Sequence, residues 1–206
     1  MSRLSARGLA CRRGDRLVFD GLDFALNAGG LLRLAGPNGS GKSSLLRVVA
    51  GLLPAAAGAI EWGGAPIAAA EDFRRNLRLL GHQDAVKPVL SVRENLAAAA
   101  GLLGIERPAL SDALERLGLV ALAELPVRFL SAGQRRRVAL ARLALGPAIL
   151  WLLDEPTTNL DTAGVAAFLT LLGAHRRAGG MALVATHEPL ALEPSATLQL
   201  GAGSRA

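Results

Sequence analysis

The residues with the plainest chemical purpose stand at positions 36–43, Gly-Pro-Asn-Gly-Ser-Gly-Lys-Ser. They follow the spacing G-x-x-x-x-G-K-[ST] in full, between an apolar run at Leu31–Ala35 and an amphipathic segment over 43–52. Glycines at that spacing let successive backbone N–H groups curl around phosphate oxygens, and the helix that follows turns its positive end toward the same anion. Lys42 adds a compact positive charge for the outer phosphates, and Ser43 a hydroxyl for a divalent cation. A chance match anywhere in a chain of this composition is about two in a thousand, so an accidental Gly-rich turn is rejected. The stretch reads as a nucleoside-triphosphate site made by Gly36, Pro37, Asn38, Gly39, Ser40, Gly41, Lys42, Ser43 and Ser44.

Such a site needs carboxylates, and the chain offers two together. Residues 149–153, Ile-Leu-Trp-Leu-Leu, form a continuous apolar run that ends in Asp154 and Glu155. A buried central strand delivers side chains at its C-terminal end, where open α/β sheets bind ligands. Asp154 suits Mg²⁺ held through its water shell, and Glu155 suits a base that orients and deprotonates an attacking water. Pro156 then breaks the strand.

The elements that must carry these groups alternate between strand-like and helix-like patterns, which predicts an α/β fold with a sheet flanked by helices. The clearest strands are Leu31–Ala35, Leu77–Leu80, 149–153 and Met181–Ala185. The first 27 residues hold short alternating segments such as Leu17-Val-Phe19, consistent with a small antiparallel layer. From 85 to 146 the pattern is helical. Ser91 with Glu94, and Ser131 with Gln134, each form a capping box that opens a helix. A further helix over 108–117 is stopped by Gly118, and the Ser131 helix should end at Gly146-Pro147. The expectation is one domain over 1–206, with a helical subdomain of about 85–146 inserted in its core and a frayed tail from Gly201.

Here the order of motifs resembles the ABC ATPases. Leu130-Ser-Ala-Gly-Gln134 is similar to that family's signature, Gln83 stands where its Q-loop glutamine follows a strand, Asn159-Leu-Asp161 is similar to its D-loop, and His187 follows a strand as its switch histidine does. The resemblance implies a P-loop NTPase core of ABC ATPase type with an N-terminal antiparallel β layer and a helical signature subdomain. It implies ATP and Mg²⁺ as ligands, with Glu155, His187, Lys42 and Gln83 catalytic, and with Ser43, Gln83 and Asp154 around the metal. It also implies a homodimer formed on ATP binding, in which Ser131, Ala132, Gly133, Gln134 and Asp161 contact the nucleotide of the other copy.

A sharper resemblance is to the haem-exporter ATP-binding subunits of cytochrome c biogenesis. It rests on residues 81–88 (Gly-His-Gln-Asp-Ala-Val-Lys-Pro), 129–138 (Phe-Leu-Ser-Ala-Gly-Gln-Arg-Arg-Arg-Val) and 151–158 (Trp-Leu-Leu-Asp-Glu-Pro-Thr-Thr). The implied function is ATP hydrolysis coupled to haem export, or to release of a haem-loaded chaperone, with integral membrane permease subunits as partners docked near residues 84–100. Another small ABC exporter subunit, for lipoprotein release or drug efflux, is the alternative; an ABC ATPase acting on nucleic acid usually carries a coiled-coil insertion or a second cassette. Without a Cys-x-x-Cys-His segment the chain is not expected to bind haem directly. The sequence departs from the ABC pattern at Ala132, at Asn159, and at Cys11, Arg12 and Arg13, where the family usually stacks an aromatic on adenine. A guanidinium of Arg12 or Arg13 is the available substitute, which opens the site to GTP.

Bulk properties agree with this placement. The net charge is +6, and of 23 basic residues only Lys42 and Lys87 are lysines. That balance suits phosphate ligands, anionic lipid or nucleic acid without choosing among them. The most apolar region, 138–153, is interrupted by Arg142 and Gly146-Pro147, so no membrane span is expected. No secretory signal is visible in the opening residues, and Cys11 is the one cysteine, which fits a reducing compartment. The expected location is peripheral, at the cytoplasmic face of the inner membrane. His82, His175, Trp62 and Trp151 are read as structural, and Arg135, Arg136 and Arg137 as a solvated helix face.

Overall fold

A computed structural model of the chain describes residues 3–70, 72–188 and 190–201. Along the chain run β1 (Arg3–Arg13), β2 (Arg16–Asn27), β3 (Leu31–Ala35), α1 (Lys42–Val49), β4 (Ala57–Trp62), β5 (Ala65–Pro66) and β6 (Leu77–Leu80). Then follow α2 (Val92–Leu102), α3 (Leu110–Arg116), α4 (Ala132–Ala141), β7 (Leu150–Asp154), α5 (Thr162–Arg177), β8 (Met181–Ala185) and β9 (Ala196–Gln199). These fall into two compact units: Met1–Gly81 with Ile149–Glu155 and His175–Ala206, and His82–Ala148 with Pro156–Ala174.

The first unit holds two sheets. One is antiparallel in the order β2-β1-β4-β5; the other has the order β6-β7-β8-β3-β9, with every pairing parallel. β7 and β8 are buried at every residue, which is why they read as unbroken apolar runs rather than alternations. β1 and β2 are longer than their short alternating segments indicate, because register shifts at 6–9, 9–11 and 11–12 interrupt the alternation without ending the pairing. The apolar face of α1, with Leu45, Leu46, Val48 and Val49, joins Leu4, Leu22, Leu34, Leu152 and Leu183 in one core. α1 stops three residues before the expected Leu52. Gly51 takes a φ of 69°, and the N–H groups of Gly51 and Leu52 turn back to the carbonyls of Val48 and Arg47. β9, which the apolar pattern leaves unmarked, adds an edge strand beside β3.

The second unit is helical, and α2 and α4 start at the expected capping boxes. In α2 the Ser91 hydroxyl accepts the Glu94 N–H, and the Glu94 carboxylate accepts the Ser91 N–H. In α4 Ser131 and Gln134 make the same reciprocal pair at 3.2 and 2.9 Å. The latter helix is α-helical only to Ala141, with a 3₁₀ turn at Arg142–Ala144 in place of the expected run to Gly146-Pro147. α3 is shorter than the expected 108–117 and ends before Gly118, whose φ is 64°. No helix among the described residues is long and apolar enough to cross a membrane. The expected tail, apart from Gly201, lies outside the described residues.

Candidate functional site at the parallel-sheet edge

Three strands of the parallel sheet end together. Ala185, the last residue of β8, pairs with Leu34 of β3 on one side and with Asp154 of β7 on the other. The ladder continues past the strand ends: the Glu155 N–H donates to the Ala185 carbonyl at 2.8 Å, and the Thr186 N–H to the Leu34 carbonyl at 3.3 Å. The start of the glycine loop, the two carboxylates and the segment carrying His187 therefore share one edge of the first unit. Backbone hydrogen bonding sets this placement.

The loop is shaped for phosphate. Gly41 is the N-cap of α1 with φ 104°, and a Cβ there would stand 2.6 Å from Val18 Cγ1. Gly36, with φ 145°, would drive a Cβ into the Leu200 carbonyl. The loop backbone thus packs on Val18 and Leu200 more closely than any side chain permits. Unlike α2 and α4, α1 has no side-chain cap, and with no acid in its first turn its positive end faces the loop uncompensated. Ser40 Oγ is buried in the loop without a hydrogen-bond partner. Lys42, only 7 % exposed, holds its ammonium over the loop by donating to the carbonyls of Gly36 (2.7 Å) and Pro37 (3.1 Å). Ser43 is half-buried one residue on, and Asp154 is buried. A hydroxyl, a carboxylate and an N–H cradle are the donor set that a magnesium triphosphate takes.

Glu155 occupies an unusual backbone position, with φ 45°. A non-glycine residue held there stores about 1 kcal/mol or more of strain, which surrounding contacts must offset. Here the Ala185 carbonyl fixes the Glu155 N–H, and Glu155 Oε2 lies 3.1 Å from His187 Nδ1. The Glu155 side chain is mostly buried whereas that of His187 is mostly exposed. On its far side His187 Nε2 is 3.8 Å from Glu188 Oε1. A carboxylate and an imidazole so placed can share a proton at the mouth of the phosphate loop.

Gln83, Ser131, Ala132, Gly133, Gln134 and Asp161 belong to the second unit. Gln83 is exposed, three residues after β6. Ser131 and Ala132 are exposed at the N-terminus of α4. Gly133 has no room for a side chain, since a Cβ would come within 2.6 Å of the Asn159 carbonyl. Asp161 is held within its own chain. Its carboxylate accepts the Gly164 N–H at 2.8 Å and pairs with the Arg137 guanidinium, and these two partners hold it below the usual carboxylate range.

The reading of Arg135–Arg137 as a solvated face is corrected here. Arg136 is 2 % exposed, with Nη1 donating to Asp84 Oδ1 at 3.0 Å and Nε to the Pro156 carbonyl at 3.3 Å. Arg137 grips Asp161, and Arg135 donates to the Leu130 carbonyl. The physical reason is that helix α4 turns positions 133, 136 and 137 to one side, against the segment after Glu155. Only the i, i+3, i+4 spacing from Gly133 hinted at this in the sequence.

Comparison with known proteins agrees with the geometry. Residues 19–158 match the ABC transporter family. The cytochrome c biogenesis ATP-binding export protein CcmA of Paramagnetospirillum magneticum is 52 % identical, covering 97 % of this chain and 94 % of that protein. The protein of the same name from Rhodospirillum rubrum is 52 % identical, covering 92 % of this chain and 82 % of its own. Among solved structures, a putative ABC transporter ATP-binding protein from Pyrococcus furiosus superposes with a TM-score of 0.85 at 26 % identity, covering 96 % of this chain and 97 % of that one. A triphosphate loop, a carboxylate pair and a histidine on one parallel edge, in a chain so closely related, lead to one conclusion: this chain belongs to the ABC transporter family, as one of its ATP-hydrolysing subunits.

Proposed function

We propose that the chain hydrolyses ATP to drive haem export, or release of a haem-loaded chaperone, during assembly of c-type cytochromes. The names carried by its curated relatives, each at about half identity over nearly the whole chain, support this pathway. The observation that carries the chemistry is the Glu155–His187 contact beside the uncapped N-terminus of α1.

The geometry supports the following roles. The loop N–H groups and Lys42 bind the phosphates and draw charge from the outer one as it transfers. Glu155 takes a proton from the attacking water, while the bond from the γ-phosphorus to its bridging oxygen breaks and ADP leaves. His187 holds Glu155 in orientation and contacts the γ-phosphate. Ser43 and Asp154, with Gln83, would hold Mg²⁺, which would supply positive charge to offset that of the phosphates. Ser131, Ala132, Gly133, Gln134 and Asp161 complete the site of a second copy, so that ATP closes a homodimer. The whole chain then acts as one ATP-binding domain, with 85–146 as its signature subdomain. Arg12 pairs in register with Leu17, next to the Val18 that abuts Gly41, which supports a role for Arg12 or Arg13 against a base above the loop. Their guanidinium planes stack on purines with little choice between adenine and guanine.

The membrane partner docks on residues of about 84–100, at the cytoplasmic face of the inner membrane. Segments 88–90 and 127–129 lie side by side, with Val127 N–H donating to the Leu90 carbonyl and Arg128 N–H to the Pro88 carbonyl, both at 2.9 Å. The buried Asn95 braces the first segment through the carbonyls of Lys87, Leu90 and Ser91. Val89 and Phe129 are left about 70 % exposed on this rigid base, which suits an apolar segment of a permease.

Two measurements test the proposal. Glu155→Gln should reduce turnover by about 10²-fold or more while retaining ATP, and it should dimerise when ATP is added. A variant that binds ATP yet stays monomeric at high concentration, with or without its membrane partner, would count against the closed dimer. Purification from membranes should bring cytochrome c assembly proteins with the chain; recovery of ribosomes instead would overturn the pathway.

A further inference from the structure

Helix α4 makes a second set of contacts that the hydrolytic roles do not use. Gly133 packs on the Asn159 carbonyl, Arg136 donates to the Pro156 carbonyl, and Arg137 grips Asp161. All three fall on the segment directly after Glu155. Arg136 alone also reaches in another direction, to Asp84, the neighbour of Gln83. Arg142, six residues further, donates to the carbonyls of Asp84 and Ala85 at 3.4 Å, and Ala85 holds a φ of 51°. The loop that carries Gln83 is therefore bent and tied by two arginines of one helical stretch.

A buried guanidinium is an expensive way to fill space. Its desolvation offsets much of the attraction to its partner, and apolar residues of similar volume usually stabilise as well or better. What it adds is direction: a planar fork can hold two acceptors at a fixed angle, which an aliphatic chain cannot. Here two of its acceptors lie 52 residues before and 20 residues after it in the chain, and each is a chain neighbour of a residue with an assigned role.

We propose that Arg136 is a positioning residue that locks the Gln83 loop and the turn after Glu155 to the helix bearing Ser131, so that these three segments move as one body. The inference rests on the roles read above for Gln83, Glu155 and Ser131. Its ligand chemistry is internal: one guanidinium shared by the Asp84 carboxylate and the Pro156 carbonyl. Asp84 is the adjustable end, because its side chain is a quarter exposed whereas that of Arg136 is almost fully buried.

The test uses the full chain with ATP and Mg²⁺, comparing Asp84→Asn, Arg136→Met and the double variant. Asp84→Asn keeps the shape of the side chain, so it reports even if Arg136→Met folds poorly. Asp84→Asn should lower kcat about 5-fold and Arg136→Met about 10-fold or more, each with the KM for ATP within about twofold of the parent. The double variant should be no slower than Arg136→Met alone, since both changes open the same link. Asp112→Asn, which opens the exposed Asp112–Arg116 pair of α3, should leave kcat unchanged. Full kcat in Asp84→Asn overturns the inference, as does a double loss equal to the product of the single losses, or a KM that rises in step with the fall in kcat. Glu155→Gln measured alongside separates the two levels: if it still turns over, the hydrolytic reading itself fails, whatever Arg136 does.

Discussion

The edge of the parallel sheet and helix α4 each hold several reactive groups in place, but by different forces. At the sheet edge the backbone sets position. Ala185 pairs with both Leu34 and Asp154, and the carbonyls of Ala185 and Leu34 take the next two N–H groups, of Glu155 and Thr186. Around α4 side-chain charge sets it, through Arg136 to Asp84, Arg137 to Asp161 and Arg142 to the carbonyls of Asp84 and Ala85. A backbone ladder is rigid and costs no side-chain entropy to align. A guanidinium contact is specific yet can open and reclose. The first suits groups that must meet a phosphate at fixed distance; the second suits segments that must respond to a partner.

The largest effect that separates the two lies at His187. If the ladder fixes the edge, removing one side chain from it leaves its neighbours in place. His187→Ala should then lower kcat by about 10²-fold while ATP affinity changes by less than about threefold. Equal losses in turnover and in affinity would show that the loop and the histidine are not independently placed, and the contrast with α4 would break.

A sharper comparison lies within the second unit, where the same capping box occurs twice. Ser91→Ala and Ser131→Ala each remove a hydroxyl that accepts one N–H, and each should cost about 1 kcal/mol of stability. For a chain of this size that is a fall of about 2–4 °C in Tm. If its hydroxyl serves the nucleotide of a second copy, as proposed, only Ser131→Ala should also slow turnover, by about tenfold. Matching losses of turnover in both variants would reduce Ser131 to a helix cap.

How much of this could be read in the sequence follows the same division. β3, β6 and β8 begin and end where their apolar runs do, and β7 is displaced by one residue, because strands buried on both faces admit little else. The phosphate loop was legible because its glycines answer to local backbone geometry. Both capping boxes were legible for the same reason. The arginines were not. A charge in a sequence looks solvated until its partner is known, and the partners of Arg136 and Arg137 lie 52 and 24 residues away. Glu155 was legible as a carboxylate beside Asp154, but nothing local announced its φ of 45°, which arises from the Ala185 carbonyl of a different strand.

The smallest expected effect tests whether the sheet is as rigid behind its reactive edge as at it. His175 has the structural place its sequence context indicates: its ring stacks on Trp151 of β7 at 3.8 Å between centroids and 6° between planes. Its Nε2 lies 3.1 Å from the Met181 carbonyl, and Gly180 leaves the space that the ring fills. Burial holds the imidazole below its ordinary 6.5, so the folded chain prefers it neutral. Because the unfolded chain takes up the proton first, this preference stabilises the fold fully above about pH 6.5 and is lost as pH falls toward the lower folded value. Asp161, held below the usual carboxylate range by the Gly164 N–H and Arg137, does not contribute in that window. Between pH 7.5 and 5.5 the parent should lose about 1–2 °C of Tm more than His175→Phe, which keeps an aromatic ring in the stack and cannot titrate. Parallel curves for the two would mean that the ring leaves its place on Trp151 readily, and that the ladder is firm only where β3, β7 and β8 meet.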